Sequence, residues 1–173
     1  QPALVGSIVM APVAAVRRGL GAVFLDLGDS DGYLDKLPDP PPNQGETLLV
    51  EVMAEAHRGK AARVSTDLRL HGAFVTISPT RPGHAVARAI TAKGERRRLR
   101  ELLSQTIPDD IGALVHGHAK GYQAADLEAD ARALVERWSR IKDHPRKQAG
   151  SARFQVLEAA PGPLSQARRL APN

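Results

Sequence analysis

The chain contains no cysteine and very few aromatic residues. Its 173 residues include three phenylalanines, two tyrosines and one tryptophan: Phe24, Phe74, Phe154, Tyr33, Tyr122 and Trp138. The lack of cysteine excludes disulfide bonds and thiolate metal sites, and it is compatible with a reducing compartment. Because aromatic side chains are so scarce, the position of each one is unusually informative.

Long apolar runs are also missing. The apolar stretch at residues 3–16 is interrupted by Gly6, Ser7 and Pro12, and its positive charges, Arg17 and Arg18, follow it. A signal peptide carries its positive charge before the apolar run, and a membrane span needs about 20 apolar residues. We therefore interpret this stretch as strand and turn, and predict a cytoplasmic protein with no membrane partner.

Charge is distributed unevenly along the chain. The net charge is +5, but residues 1–57 hold three basic and eight acidic side chains, whereas residues 58–173 hold 21 basic and 11 acidic ones. The positive second part predicts a polyanionic partner. The alternative is a solvated basic surface that binds nothing in particular.

The pattern of the first third is typical of a small β-barrel. Apolar runs rich in branched residues predict strands at residues 4–10, 21–27, 32–34, 48–53 and 61–66, with turns at 17–21, 28–31 and 58–60. Five short strands joined by tight turns within residues 1–67 predict a small barrel.

The remainder predicts a mixed α/β region, so that the fold class is α+β. Strands are expected at residues 73–78, 84–90 and 111–118, and helices at 95–105 and 124–142, where apolar residues recur every three or four positions. We assign this region to residues 68–145. Residues 146–173 are expected to hold a strand at 152–158 and a loose tail.

Two aromatic residues of the predicted barrel are candidates for base stacking. In residues 21–28 (GAVFLDLG), alternation puts Phe24 on the same strand face as Asp26, and the turn that follows can bring Tyr33 beside it. Neighbouring rings on a barrel surface form a platform for unpaired bases. The pattern alone favours the alternative, in which Phe24 lies in the core and Tyr33 covers it.

Basic residues cluster in and before the first predicted helix: Arg88, Lys93, Arg96, Arg97, Arg98 and Arg100. Arg96 and Arg100 share one helix face, with Arg97 beside it, as in a strip that follows a phosphate backbone. A solvated helix face paired with neighbouring glutamates explains the same charges equally well.

No pattern in the sequence predicts catalysis. His116 and His118 would lie on one side of a predicted strand, a spacing that some metal sites use, but no third ligand is evident, and a surface or RNA-facing pair is favoured. The aspartates at positions 26–39 lack the spacing of a calcium loop. Nucleophile elbows, P-loops and dinucleotide fingerprints are absent from the sequence.

Several segments together resemble the ribonuclease E/G family. The segments that resemble family motifs, in the family's order, are residues 21–28 with 31–34, 59–66 with 70–75, 84–90, 95–103, 112–116 and 126–142. Each motif alone is weak, but their common order across residues 4–142 is specific. The resemblance implies an S1 barrel of the OB type, followed by the small subdomain that senses RNA 5′ ends in this family.

The resemblance also implies roles for individual residues. Phe24 stands at the position of the family's stacking phenylalanine, Tyr33 stands where a second aromatic residue stacks, and Lys60 matches a basic position near RNA. These matches raise the stacking interpretation of Phe24 and Tyr33 above the core interpretation.

The family's 5′-end pocket is preserved only in part. Gly72 matches its position, but Thr76 stands where an apolar residue is expected, and His116 and Gly117 replace the Arg-Thr pair that grips a terminal monophosphate. The loss of a bidentate guanidinium fork predicts poor sensing of a 5′ monophosphate, although a protonated His116 could still bind phosphate weakly.

The family's magnesium-binding aspartates and zinc-linking cysteines lie downstream of the last matching segment. We therefore predict a non-catalytic module that binds single-stranded RNA without a cofactor, through Phe24, Tyr33, Lys60, Arg88, Arg96, Arg97 and Arg100. Two alternatives stay open: the RNA-binding fragment of a magnesium-dependent endoribonuclease, and a protein-interaction module, with a protein partner or a homo-oligomer.

Overall fold

A computed structural model describes residues 5–119, 121–145 and 153–159. Contacts divide these residues into two units, one formed by residues 5–68, 144–145 and 153–159, and one by residues 69–119 and 121–143. Within the described ranges, neither helix has the length and apolar character needed to cross a membrane. The boundaries expected from sequence, 1–67, 68–145 and 146–173, stay a prediction.

The first unit is a closed barrel of five strands. Its strands are β1 (Ile8–Arg17), β2 (Ala22–Asp26), β3 (Asp31–Leu34), β4 (Thr47–Ala54) and β5 (Ala62–Ser65). Their order is β1-β2-β3-β5-β4, and β4 pairs again with β1, which closes the sheet on itself. The pairing of β3 with β5 is parallel and the others are antiparallel, an arrangement consistent with the predicted OB-type barrel.

The first strand is longer than the sequence pattern predicted. The expected strand at residues 4–10 begins at Ile8 and continues through Pro12 to Arg17, and residue 4 lies outside the described residues. The first half of β1 pairs with β4 and the second half with β2, with an irregular register between Val13 and Ala15. Because its first half pairs with β4 and its second half with β2, strand β1 extends beyond Pro12, which had suggested an earlier end. The expected turn at 17–21 is a 3₁₀ turn at Arg18–Leu20 followed by Gly21 in the left-handed conformation, φ 62°.

Alternation along the strands fills the barrel with branched side chains. The core consists of Val9, Ala11, Val13, Val23, Leu25, Leu27, Leu34, Val50, Val52, Ala62 and Val64. Every second residue points inward, so its neighbours in the chain, such as Phe24 and Asp26, are left for the outer surface. A further strand, β10 (Gln155–Glu158), pairs with the start of β1 and lies within the expected strand at 152–158. Residue 152 and the expected tail after residue 159 lie outside the described residues.

The second unit packs two helices with a four-stranded sheet. The sheet has the order β6 (Leu70–His71), β7 (Val75–Ser78), β9 (Gly112–Val115) and β8 (His84–Val86). Helix α1 spans Lys93–Thr106 and helix α2 spans Ala124–Lys142. The α+β class predicted from the sequence is confirmed by this barrel and the helix-covered sheet that follows it.

The apolar periodicity located both helices correctly. In α1 the buried residues are Leu99, Leu102 and Leu103, and in α2 they are Leu127, Ala131, Leu134 and Ile141, with Trp138 half-buried. The strands of this unit are shorter than predicted, because β8 ends before a turn at 87–90 and β9 ends at Val115. The segment of the two candidate histidines, predicted as strand, therefore leaves the sheet and enters a 3₁₀ turn at Gly117–Ala119.

Candidate functional site

The two candidate stacking residues lie side by side on adjacent barrel strands. Phe24 on β2 is paired in register with Tyr33 on β3, and their ring centroids are 5.5 Å apart with the planes tilted by 54°. Both rings are half-buried, and neither belongs to the barrel core. The two rings therefore form an outward aromatic pair. Phe24 does not lie in the core, as the alternative interpretation had it.

A basic residue that the sequence analysis overlooked continues this row. Tyr33 is in register with Arg63 on β5, and Phe24 with Ala15 on β1, so that the four side chains cross four strands on one outer face. Arg63 is exposed between the buried Ala62 and Val64. Its alternation with apolar neighbours signals an outward position, but only the parallel pairing of β3 with β5 places it beside Tyr33.

Lys60 lies at the tip of the hairpin between β4 and β5. His57 and Lys60 exchange two backbone hydrogen bonds, of 3.1 and 2.9 Å, around a two-residue loop. The loop residues Arg58 and Gly59 have positive φ angles of 47° and 78°, which define the mirror-image type of turn favoured in tight hairpins. The ammonium group of Lys60 is thus presented to solvent at the rim of the barrel unit.

Arg96 differs from the other arginines assigned to phosphate binding. Its guanidinium donates hydrogen bonds to the carbonyl oxygens of Ala87 (2.9 Å), Ile90 (2.8 Å) and Val86 (3.2 Å). These bonds favour a positioning role, because they anchor the turn at residues 87–90 to helix α1. That turn carries Arg88, whose side chain is exposed.

Arg97 and Arg100 line an open groove along helix α1. The groove has a volume of about 550 Å³ and is lined by Lys93, Arg96, Arg97, Arg100, Glu101, Ser104 and Gln105. Within the described ranges, neither Arg97 nor Arg100 has a carboxylate in ion-pair range. Glu95 instead pairs with Arg98 at 2.7 Å, and this hydrogen bond raises the pKa of Arg98 above its ordinary value. The expected alternative of a helix face paired with its own glutamates thus applies to Arg98.

Gly72, a residue of the partly preserved 5′-end pocket, begins a turn built around a carboxylate. Asp130 of α2 accepts hydrogen bonds from the amides of Ala73, Phe74 and Val75, at 2.8 to 2.9 Å. A Cβ atom added at Gly72 would collide with this carboxylate. Asp130 therefore accepts hydrogen bonds from amides that could otherwise have donated to a bound anion. Position 72 requires glycine, because a Cβ atom there would block the close approach of the carboxylate.

The other residues of that pocket meet in a hydrogen-bonded chain. Thr76 Oγ1 lies 2.7 Å from His116 Nε2 and 3.0 Å from His71 Nδ1. Since a hydroxyl has one hydrogen, it can donate to only one of these nitrogens, and the other ring must donate to it. The structure thus brings Thr76 and His116 together, with Gly117 at the start of the 3₁₀ turn that follows. The contact of His71 with Thr76 was not predicted, because the sequence pattern started the strand after His71.

His118 has a separate environment from His116. Its Nε2 donates to the carbonyl oxygen of Ala73, and its ring lies 5.3 Å from that of His116. In the ranges that the structure describes, no group of three or more His, Cys, Asp or Glu side chains is arranged to hold a metal ion.

These features define a class: an OB-type barrel with an outward aromatic pair, followed by an α/β unit with basic side chains along one helix. The model of the Ribonuclease E/G family matches residues 69–169, more than half of the chain. The chain belongs to the ribonuclease E/G family, as its motifs predicted.

Similar proteins extend this match over nearly the whole chain. Ribonuclease G of Escherichia coli K12 is 26% identical over 189 residues, which cover 96% of this chain and 37% of that protein. Ribonuclease E of a Nostoc species is 27% identical and covers 88% of this chain and 24% of its own length. Ribonuclease E of Haemophilus influenzae is 27% identical, and the match covers 79% of this chain and 17% of that protein. The chain spans about a third or less of these relatives.

Alanine should affect stability differently at Gly72, which lies against Asp130, and at Gly94, which has open space around it. Gly72→Ala should lower the free energy of unfolding by about 1–3 kcal/mol, because the carboxylate of Asp130 must move away from its three amide donors. Gly94→Ala, in helix α1 with open space around it, should leave stability unchanged or raise it by up to about 1 kcal/mol. Urea unfolding followed by the fluorescence of Trp138 measures both. Equal stability of the two variants would contradict this account of Gly72.

Proposed function

We propose that this chain binds single-stranded RNA without cutting it, with Phe24 and Tyr33 as the stacking platform. The observation that carries the proposal is the outward pair of rings on adjacent strands of an OB-type barrel, 5.5 Å apart and outside the core. Unpaired bases stack on such rings with little regard to sequence, because every base has a π-face. The names of the relatives, Ribonuclease G and Ribonuclease E, agree with RNA as the ligand.

Exposed cations supply the phosphate contacts in this proposal. The contacts come from Lys60 and Arg63 on the barrel and from Arg88, Arg97 and Arg100 on the second unit. Arg97 and Arg100 line an open groove along helix α1. Guanidinium groups suit this task, because their fork of N–H donors matches two phosphate oxygens. Arg96 acts indirectly in this scheme, by holding the turn that presents Arg88.

We further propose that the region of Gly72, Thr76, His116 and Gly117 does not select RNA by a terminal monophosphate. The amides of the turn are engaged by Asp130, and Thr76 is engaged by two imidazoles. A terminal phosphate would have to displace these internal partners without a guanidinium fork to compensate.

A second candidate function is suggested by the length of the relatives. Because Escherichia coli Ribonuclease G matches over 37% of its own length, this chain could serve as the RNA-binding part of a magnesium-dependent endoribonuclease. The discriminating observation is whether the gene continues past Asn173 into a domain that bears metal-binding aspartates. The interaction-module alternative, the possible homo-oligomer and the cytoplasmic location stay predictions.

Removal of the two barrel rings should weaken RNA binding strongly. The double variant Phe24→Ala/Tyr33→Ala should lose about 1–3 kcal/mol of binding free energy for each base that stacks. Fluorescence anisotropy with an unstructured RNA measures this loss, and Leu20→Ala, at a side chain that is 76% exposed, is the matched control. The RNA should be recovered intact in the presence of Mg²⁺. An unchanged affinity in a folded double variant would favour the interaction-module alternative.

The arginines of the α1 groove should determine part of the salt dependence. For single-stranded RNA, each neutralised phosphate contributes about −0.7 to the slope of log affinity against log salt concentration. Arg97→Ala/Arg100→Ala should therefore make the slope less steep by about 1.4. Arg132→Ala/Arg140→Ala removes the same charge from arginines of α2 that pair with Glu128 and Glu136, and it should leave the slope nearly unchanged. Identical slopes for the two double variants would contradict a specific role for the groove.

The state of the RNA 5′ end should make little difference to affinity. Two RNAs of one sequence, carrying a 5′ hydroxyl or a 5′ monophosphate, should bind within about twofold of each other at neutral pH, since no guanidinium fork is available for the terminal phosphate. Competition between the two RNAs for the wild-type chain gives the ratio directly. A preference of tenfold or more for the monophosphate would show that this region still senses the 5′ end.

A further inference from the structure

We propose that Phe74 and Tyr122, with His118 at their edge, form a second stacking site for an unpaired nucleobase, in the second unit. This inference rests on the proposed binding of single-stranded RNA and extends it to Phe74 and Tyr122, to which the sequence analysis assigned no binding role. The ring centroids of Phe74 and Tyr122 are 4.6 Å apart, with the planes tilted by 45°, and the His118 ring lies 6.0 Å from Phe74.

The exposure of this cluster is what distinguishes it from a core. Tyr122 is 50% exposed, Phe74 is half-buried and His118 is exposed. The chain has six Phe, Tyr and Trp residues in all, and four of them form two such pairs, Phe24 with Tyr33 and Phe74 with Tyr122. Leaving large apolar rings in water forgoes the free energy of burial, so paired exposed rings point to a ligand that covers them.

The backbone around the rings is held by hydrogen bonds from several elements. The amide of Phe74 donates to Asp130 at 2.8 Å, and its carbonyl accepts from the amide of His116 at 2.8 Å. The carbonyl of Tyr122 accepts from the guanidinium of Arg98 at 3.3 Å. Because the backbone is fixed before a ligand arrives, less conformational entropy is lost on binding.

The spacing of the rings determines how a base would bind. A base inserted between two rings needs about 7 Å, which is twice the contact distance between carbon atoms. At 4.6 Å the rings are already in contact, so the base stacks on the exposed ring of Tyr122 and is not inserted between the two. Stacking of this kind is tolerant of base identity.

His118 adds a polar group at the edge of the rings. A carbonyl oxygen only accepts hydrogen bonds, so the contact with Ala73 requires the hydrogen on Nε2. Nδ1 is then an acceptor in the neutral ring and a donor in the protonated one. Arg98 brings a positive charge near Tyr122, which its ion pair with Glu95 partly offsets. The site therefore combines stacking with weak polar selection, as expected for a base in a flexible single strand.

The two tyrosines of the chain allow each platform to be observed separately. With 3-fluorotyrosine in place of tyrosine, the full chain gives one ¹⁹F resonance from Tyr33 and one from Tyr122, assigned with Tyr33→Phe and Tyr122→Phe. We expect both resonances to shift when an unstructured RNA of about ten nucleotides is added. A chain of abasic ribose phosphates of the same length keeps the phosphates but offers no base, and it should leave the Tyr122 resonance in place.

Each result of this titration bears on one of the two proposals. A shift of Tyr122 with RNA and not with the abasic chain supports the second site. A shift of Tyr33 alone overturns the second site and leaves the proposed function standing, whereas a shift of Tyr122 alone supports the second site and overturns the barrel platform. An equal Tyr122 shift with the abasic chain overturns the stacking claim, and no shift at either tyrosine overturns both proposals.

Affinities of three variants test the same site independently. Tyr122→Ala should weaken binding of the RNA about 5- to 100-fold, and Tyr122→Phe, which keeps the ring, should bind within about twofold of the wild type. Leu114→Ala, at a side chain of the same unit that is 42% exposed, is the control for loss of apolar surface and should not differ from the wild type. Equal affinities of folded Tyr122→Ala and Leu114→Ala would overturn the proposal, as would an equal loss in Tyr122→Phe and Tyr122→Ala.

Discussion

Closure of the five-stranded barrel is the constraint on which the rest of the first unit depends. When a sheet closes on itself, the side chains of each strand alternate between a filled interior and the outer surface. Val23 and Leu25 fill the interior, and Phe24 is thereby placed outside, opposite Tyr33. The same alternation leaves Arg63 outside, between the buried Ala62 and Val64. The arrangement of an outward aromatic pair and an adjacent cation thus follows from the packing requirements of the core.

The second unit depends on a different interaction, the carboxylate of Asp130 and the turn that it holds. The side chain of Asp130, in helix α2, accepts hydrogen bonds from three backbone amides at the start of β7 and in the turn before it. That turn places Phe74 beside Tyr122 and starts the strand that carries Thr76. Arg96 holds the turn after β8 in a comparable way, by donating to three carbonyl oxygens. In this unit, charged side chains shape the loops that present the candidate binding residues.

Sequence patterns predicted the fold well where one period dominates. Helix α2 was located to the residue, because Leu127, Ala131 and Leu134 recur at helical spacing, and the barrel was expected from its short alternating strands. Strand ends were predicted less well. β1 continues through Pro12 because it pairs with β4 and then β2, and the segment after Val115 turns away from the sheet. Such ends depend on the pairing partners, which a local pattern does not contain.

For the candidate site, the sequence by itself determined the family to which the chain belongs and the residues that are candidates for binding. The ordered motifs pointed to Phe24, Tyr33 and Lys60, and the clustering of positive charge pointed to the arginines around α1. The tertiary structure decided what those residues contact. It placed Arg63 beside Tyr33 through a parallel pairing, directed Arg96 to carbonyl oxygens, and joined His71 to His116 through Thr76. The physical reason is that alternation and helical period are local properties of the chain, whereas these contacts depend on which strands pair and which elements pack together, as for Thr76 and His116, which are 40 positions apart.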